Sequence, residues 1–560
     1  MSYFVRWILV TAVFWGLRVS YFTQEFSLLG WDSDHGVMGL MADRWLEDGV
    51  FPIFYWGQEY LGPMSSWWAA IVQWWMNQLE VVQMVPGSSD AYSLSPLALS
   101  IGAAITVYLG VVIWELAIHR LWGPLTSLTM ASLLSLGGAM LWPMSLRPLG
   151  HEGLVPLTGL LILTASHCYR DPSAHLQFFF GMALGWVAWI HHGGMLLAAP
   201  LALLIWNRHY QINKVLPRLP RLLLLPDIRS RTLRWTLLAI AVLLIARLLL
   251  GLAIDLWIGP FDTYIFGYKL RVHHGLKLAV ETAKILVLFY AVIFLIGHGS
   301  LRSFLSDHKK PIGFLGAGFL FAYSPVLLGK IFSWYPSAYT FSPKLAPVSA
   351  WLDHLTMSWS YLFDLLSVND SETWQLVLIA ALFLISHFLV ISKIAIQPSR
   401  LKVFSAIYLA MGLNFLMIFI LGQFHNRYGL VLFIGILAHL AVWPQIVFKA
   451  NKTKVFATIA TLILVGTTLS YQVQESIGRL KGVAFPHDEL ALLNSATCEV
   501  YHANYWEVYR LDFLSNQSLR LVPWQSQDRS STRSKFFHEN YSLFCWFVQG
   551  RVLKNDPKAL

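Results

Sequence analysis

Charge is what this sequence has least of. Only 12% of its 560 residues are Asp, Glu, Lys or Arg, and 56% are hydrophobic. A soluble domain carries about 25% charged residues. The deficit excludes an ordinary water-soluble enzyme and a disordered chain, which is polar and charge-rich. Cysteine is scarce as well. Three in the whole chain exclude a disulfide scaffold and a cysteine-based metal framework. Cys168 sits in an apolar run, while Cys498 and Cys545 fall in the polar C-terminal region, where one bridge fits. The net charge of +10 does not indicate nucleic-acid binding. Such proteins cluster Lys and Arg on one face, and here they come in short bursts between apolar runs. The alternating segments of a membrane β-barrel are also missing.

What is there is a series of long apolar runs. A membrane helix needs about 20 mostly apolar residues. Runs of this kind lie at 3–22, 95–117, 124–146, 153–168, 177–190, 193–206, 235–258, 279–298, 313–332, 376–395, 402–422, 429–448 and 453–473. They predict about thirteen spans and an all-α polytopic membrane protein. The transmembrane domain is expected over 1–473, with outer loops at 23–68, 259–278 and 333–375. A small outward-facing C-terminal domain is expected over 474–560. Gly193 and Gly194 after His191 and His192 predict a break between two spans.

Loop charge sets the orientation. The loop at 207–234 carries Arg208, Lys214, Arg218, Arg221, Arg229, Arg231 and Arg234 against Asp227 alone, so it is expected in the cytoplasm. The loop at 23–62 carries Glu25, Asp32, Asp34, Asp43, Glu47, Asp48 and Glu59 against Arg44, so it is expected outside. The N-terminus then lies inside and the C-terminal region outside. Transporters usually show repeats with broken helices in matching halves. No such symmetry is visible here, and the polar residues gather on the outer side, which suits chemistry at an interface.

Asp34 follows the first span closely. After it, Val37, Leu40, Met41, Trp45 and Leu46 recur at helical spacing and predict a short interfacial helix. Asp34 falls near the start of that helix, where a carboxylate either caps the first turn or serves chemistry. In the short loop 147–153, Glu152 follows His151; a carboxylate there is favoured by the dipole of the next helix. His191 and His192, at membrane depth, read either as a structural pair or as a functional one.

The run from Ser33 to Ala42, followed by Gly49, Phe51, Pro52, Tyr55, Gly57, Gln58, Tyr60 and Gly62, resembles the first loop of bacterial membrane glycosyltransferases of the GT-C superfamily. These are similar to the dolichyl-phosphate-mannose protein mannosyltransferases and the aminoarabinose lipid A transferases. The run from Tyr501 to Ser515 is similar to an element that follows their last helix. Arg427 and Tyr428 resemble their Arg-Tyr pair. The resemblance implies an inverting transfer of a sugar from a polyprenyl-phosphate-linked donor to an acceptor on the outer face of a bacterial inner membrane. That acceptor would be a lipid, a glycan or a protein. An alternative is a catalytically silent relative, or a lipid-linked glycan flippase, polymerase or binding scaffold.

The resemblance also implies roles. Asp34 matches the catalytic carboxylate, and Glu152 matches a second acid often placed in its loop. Two positions depart from the pattern: His35 stands where the family has Glu after the Asp, and Ser65 stands where Glu is common. His35 and His151 are expected to touch substrate. Lys269, Arg271 and His273 form a basic outer segment expected, with Arg427, to hold the donor phosphate. Tyr505 is expected in the substrate site. No cofactor follows from the sequence; Asp34, His35, His151 and Glu152 leave a divalent metal open, without close ligand spacing. The tail from about 486 onward carries too many large apolar side chains for a solvated linker. It is expected to dock on the aromatic loop 333–375 or to be closed by a Cys498–Cys545 bridge.

Overall fold

A computed structural model describes residues 3–56, 61–171, 173–210, 231–253, 261–265, 268–272, 282, 285, 299–332, 348–354, 357, 401–422, 426–482, 485–495, 498, 500–503, 505–517, 521–523, 544–548 and 551–553. The protein is mostly helical. Its helices are α1 (Tyr3–Gly16), α2 (Gln24–Ser27), α3 (Ser33–Asp48), α4 (Met64–Gln78), α5 (Pro96–Trp122), α6 (Pro124–Leu136), α7 (Gly138–Met144), α8 (Leu154–Arg170), α9 (Ala174–Ile190), α10 (Met195–Tyr210), α11 (Arg231–Ala253), α12 (Gly299–Ile331), α13 (Leu401–Leu421), α14 (Leu430–Val447), α15 (Asn451–Gly482), α16 (His487–Ser495) and α17 (Tyr505–Leu514).

Among the described residues, six helical stretches are long and apolar enough to cross a membrane. They are Tyr3–Tyr21, Pro96–Trp122, Lys309–Gly329, Val403–Leu421, Leu430–Val447 and Asn451–Lys481. Shorter apolar helices cover Pro124–Leu136, Ala174–Ile190, His192–Ile205 and Val242–Ala253. The expected spans at 279–298 and 376–395 fall almost entirely outside the described residues. The run at 124–146 is not one helix. Gly137 turns left-handed, at φ +68°, and separates α6 from α7. Only glycine adopts that conformation readily, so the apolar run is interrupted without a polar signal. A break does fall at His191–Gly194, as the paired glycines predict.

The largest core gathers α1, α5, α6, α7, α8, α9, α10, α13 and α14, with Val326 of α12 and Val465 and Leu469 of α15. Within it α14 is buried on nearly every face, which its all-round apolar sequence requires. A second core joins α3 and the facing parts of α4 and α5 to the tail.

The all-α expectation needs correction in two places. Phe261–Ile265 (β1) and Tyr268–Val272 (β2) form an antiparallel hairpin. The tail holds β3 (Val500–Ala503), β4 (Leu521–Pro523), β5 (Phe544–Val548) and β6 (Arg551–Leu553), in the order β4-β3-β5-β6. Strands β3 and β4 are parallel, joined through α17, and β5 and β6 are antiparallel. These strands are three to five residues of aromatic and β-branched character. They are too short to register in a search for long apolar runs.

The described partners of the tail are α3 of the first loop and the segment just before α5. Helix α17 lies along α3 so closely that a Cβ on Gly36 would come within 2.6 Å of the Tyr509 carbonyl carbon. Tyr92 donates its hydroxyl to the Leu514 carbonyl at 2.7 Å, and Ser93 N–H donates to Asn516 Oδ1 at 3.0 Å. The expected partner loop, 333–375, lies mostly outside the described residues. Cys498 is disulfide-bonded and Cys168 is free. The chain's one other cysteine is Cys545, in β5, the strand beside β3.

Candidate functional site

Helix α3 starts with a reciprocal cap. Asp32, in extended backbone, accepts the His35 N–H on Oδ1 at 3.1 Å, and His35 Nδ1 accepts the Asp32 N–H at 3.0 Å. This is a capping box in which His replaces the usual Glu or Gln at the third helical position. It explains why a histidine sits there. One ring nitrogen of His35, Nδ1, is occupied by the helix cap. The cap itself is Asp32, not Asp34.

Asp34 occupies the second position of α3 and is 4% exposed. The helix dipole favours a carboxylate there. Tyr55 aims it: the phenol donates to Asp34 Oδ1 at 2.9 Å and lies 3.1 Å from the Asp34 carbonyl oxygen. Tyr55 is fixed in turn, because its N–H donates to the Leu61 carbonyl at 2.8 Å. Gly62 N–H then donates to the Ile190 carbonyl at 2.7 Å, and Leu61 bridges to His191. The first loop is thereby tied to the end of α9.

That end carries a histidine pair. His191 Nδ1 accepts the Gly193 N–H at 3.0 Å, so its proton sits on Nε2. His191 Nε2 lies 2.8 Å from His151 Nδ1 and donates to it. Both rings are neutral in this arrangement. Burial, with His192 nearby, pushes His191 down to about 4. The His151 ring meets the Tyr428 ring edge-on at 5.9 Å.

An acid-stability result follows. The unfolded His191 ring takes a proton near its ordinary 6.5 and the folded ring only near 4. Between those values the unfolded chain binds more protons, so stability is lost as pH falls through that window. Melting temperatures of wild type and His191→Gln across pH 4–7 check this; identical slopes in both proteins exclude His191 as the source.

Glu152 is fully buried. Its Oε1 lies 2.5 Å from Ser65 Oγ, and its Oε2 accepts the Leu149 N–H at 3.1 Å. Ser65 Oγ is also 3.1 Å from Thr106 Oγ1. Ser65, one of the two departures from the family pattern, is therefore the direct partner of the loop acid. Ser66 Oγ donates to the Met38 carbonyl at 2.8 Å and joins α4 to α3. Burial is the largest influence on Glu152 and raises it above the ordinary carboxyl range.

Arg147, which sequence reasoning passed over, braces the same region. Its guanidinium donates to the carbonyls of Leu29, Leu146 and Phe26 and to Ser100 Oγ, at 2.6–2.8 Å, and lies 4.8 Å from the centre of the Trp31 ring. It is a buried cation satisfied by carbonyl and hydroxyl oxygens, which sets the approach of the first loop to α5. Its only sequence signal was a cation beside Pro148 in a short loop.

These bonds bring Asp34, Tyr55, Ser65, His151, Glu152 and His191 into one connected, buried polar region. Arg427 lies in the one-turn segment Asn426–Gly429, whose Tyr428 reaches His151. Lys269 and Arg271 lie in β2, in register with Tyr264 and Asp262. His273 lies outside the described residues, and Tyr505 opens α17. Among the described residues, no group of three or more His, Cys, Asp and Glu is placed to hold a metal ion. His151 and His191 spend ring nitrogens on each other, and His35 spends one on Asp32. The set does not fit a metal as it stands.

No family model and no curated protein matches the chain. Solved structures do. The oligosaccharyltransferase of Archaeoglobus fulgidus in its apo form is similar at TM-score 0.45 and 13% identity, over 93% of this chain and 64% of that one. This chain thus spans less than two-thirds of that enzyme's length. ArnT from Cupriavidus metallidurans in its apo state is similar at TM-score 0.42 and 11% identity, over 96% of this chain and 89% of that one. ArnT bound to undecaprenyl phosphate is similar at TM-score 0.34 and 12% identity, over the same shares. An archaeal oligosaccharyltransferase and a bacterial ArnT are thus among the solved structures similar to this chain.

Proposed function

We propose that this chain is an inverting membrane glycosyltransferase that moves a sugar from a polyprenyl-phosphate-linked donor to an acceptor at the outer face of a bacterial inner membrane. The observation that carries the reading is Asp34. It sits on the first turn of a helix whose cap is supplied by another residue, and its carboxylate is aimed by the Tyr55 phenol. A general base must be fixed within hydrogen-bond reach of the proton it takes.

The reaction balances simply. The acceptor hydroxyl oxygen bonds to the anomeric carbon from the face opposite the phosphate, and its proton passes to Asp34. The bond from the anomeric carbon to the phosphate oxygen breaks, and polyprenyl phosphate leaves. Negative charge grows on that leaving group, so cations there favour the transition state. Lys269, Arg271, His273 and Arg427 are assigned that task. Tyr505, at the start of α17, belongs to the acceptor side. The lipid part of the donor stays in the bilayer, which suits a base on a loop helix directly after the first span.

The test is reconstitution of the chain in liposomes with labelled polyprenyl-phosphate sugars and cell-envelope lipids, glycans or peptides. Label should pass to an acceptor with inverted configuration and release of polyprenyl phosphate. Label that crosses the bilayer still attached to its lipid would overturn the reading in favour of a flippase. No movement of label at all would mark a silent relative.

A further inference from the structure

Glu152 joins a row of oxygens whose protons can be counted. Ser65 Oγ stands 2.5 Å from Glu152 Oε1 and 3.1 Å from Thr106 Oγ1, and Thr106 Oγ1 stands 3.0 Å from the Gly102 carbonyl oxygen. Each hydroxyl has one proton to give. The Gly102 carbonyl has none, so the Thr106 proton serves that contact. Thr106 Oγ1 then accepts from Ser65. With its proton spent on Thr106, Ser65 Oγ receives at its other contact. The proton between Ser65 and Glu152 therefore has to come from the carboxyl group. Glu152 Oε2, meanwhile, accepts the Leu149 N–H, as the carbonyl oxygen of a carboxylic acid does.

The surroundings agree with the count. Glu152 is 0% exposed, and none of the ion pairs among the described residues includes it. A buried carboxylate without a cation is costly and takes up a proton instead. Any order with an ionised Glu152 leaves one of the three oxygen contacts without a proton, and its buried charge would face the Ser65 hydroxyl and the backbone N–H groups of Leu149, Gly150 and Glu152 but no ion-pair partner among the described residues.

We infer that Glu152 is a neutral carboxylic acid at physiological pH, donating to Ser65, and that it acts as a positioning residue rather than as a second base. Its proton opens the relay Glu152–Ser65–Thr106–Gly102, which fastens the 147–153 loop to α4 and α5. That loop carries His151, so the relay sets where the histidine pair stands relative to Asp34. The division of labour rests on the proposed transferase reading. The protonation state does not.

Infrared difference spectroscopy of the full chain in lipid tests the protonation state without any substrate. At neutral pH, wild type minus Glu152→Gln should show the carbonyl band of a protonated carboxylic acid, shifted by H/D exchange. Ser65→Ala should move that band to higher frequency, because the acid loses its acceptor. Glu152→Gln should keep the wild-type melting temperature, since an amide also donates to Ser65 and accepts from Leu149, whereas Glu152→Ala should lower it. Absence of the acid band from wild type at neutral pH, or a carboxylate band in its place, overturns the inference. If Glu152→Gln fails to fold, the Ser65→Ala arm decides alone: an unshifted acid band means the acid is not Glu152. In either case the transfer assay is untouched, so failure here and failure of the transferase reading are told apart.

Discussion

Asp34→Asn is expected to reduce sugar transfer by at least about 100-fold while the protein still inserts and folds. The size of the loss follows from the role. Asn matches Asp in shape and its Oδ1 can still accept the Tyr55 hydroxyl, but it cannot take the acceptor's proton. The small structural cost follows from the cap. Asp32 and His35 supply the reciprocal bonds that start α3, so changing Asp34 leaves that turn intact. The matched control is Tyr55→Phe, which keeps the base and removes the bond that aims it; its loss should be smaller than that of Asp34→Asn. Turnover is measured in liposomes with equal amounts of each folded protein. Near-full transfer by Asp34→Asn removes Asp34 from catalysis. A larger loss in Tyr55→Phe than in Asp34→Asn would mean that the phenol, not the carboxylate, is the group the reaction needs.

The sequence showed the site more clearly than it showed the roles within it. Asp34, His35, His151 and Glu152 were legible as candidates because charge is scarce in so apolar a chain, and each polar group outside a basic loop needs a reason. Hydrogen bonds and chain neighbours tie Asp34, His151 and Glu152 into one buried region, while His35 turns to Asp32. The division among them was not legible. It depends on which neighbour takes each hydrogen bond, and those neighbours lie far off in sequence: Tyr55 for Asp34, Ser65 for Glu152, His191 for His151. His35 is the instructive case. In the motif it reads as a missing carboxylate, whereas in the fold it completes a cap with Asp32.

The helices were legible where apolar length alone decides, as over 96–122 and 430–447. They were misread where a glycine breaks an apolar run, as at Gly137, because hydropathy carries no backbone conformation. The tail was legible as folded, from its aromatic content, but its strands and its seat on α3 were not. Helix α3 shows an apolar stripe at Val37, Leu40 and Met41, but the close approach of Gly36 to a neighbouring backbone carries no hydropathy signal.

Gly36→Ala is expected to destabilise the seat of the tail on the first loop, and the sign of the effect is the test. On an open helix surface Ala in place of Gly stabilises by about 1 kcal/mol. Here a Cβ on Gly36 would meet the carbonyl of Tyr509 and, at 3.0 Å, the Arg510 nitrogen. These are backbone atoms of α17, and no rotamer change moves them away, so α3 and α17 must separate. Overpacking of this kind costs about 1–3 kcal/mol and outweighs the gain in helix propensity. Gly39, three residues on, meets the buried Phe513 ring instead, which packs on Trp31. Gly39→Ala should therefore also destabilise the seat of the tail. The measurement is limited proteolysis of the full chain in lipid, read at the junction after α15, beside the melting temperature of each variant. Gly36→Ala should speed release of the tail while leaving the membrane part intact. It should also slow transfer, because Gly36 lies two residues from Asp34 on the same first turns of α3. A variant that melts higher than wild type and resists cleavage would show that α17 does not lie on α3, and would detach the tail from the site.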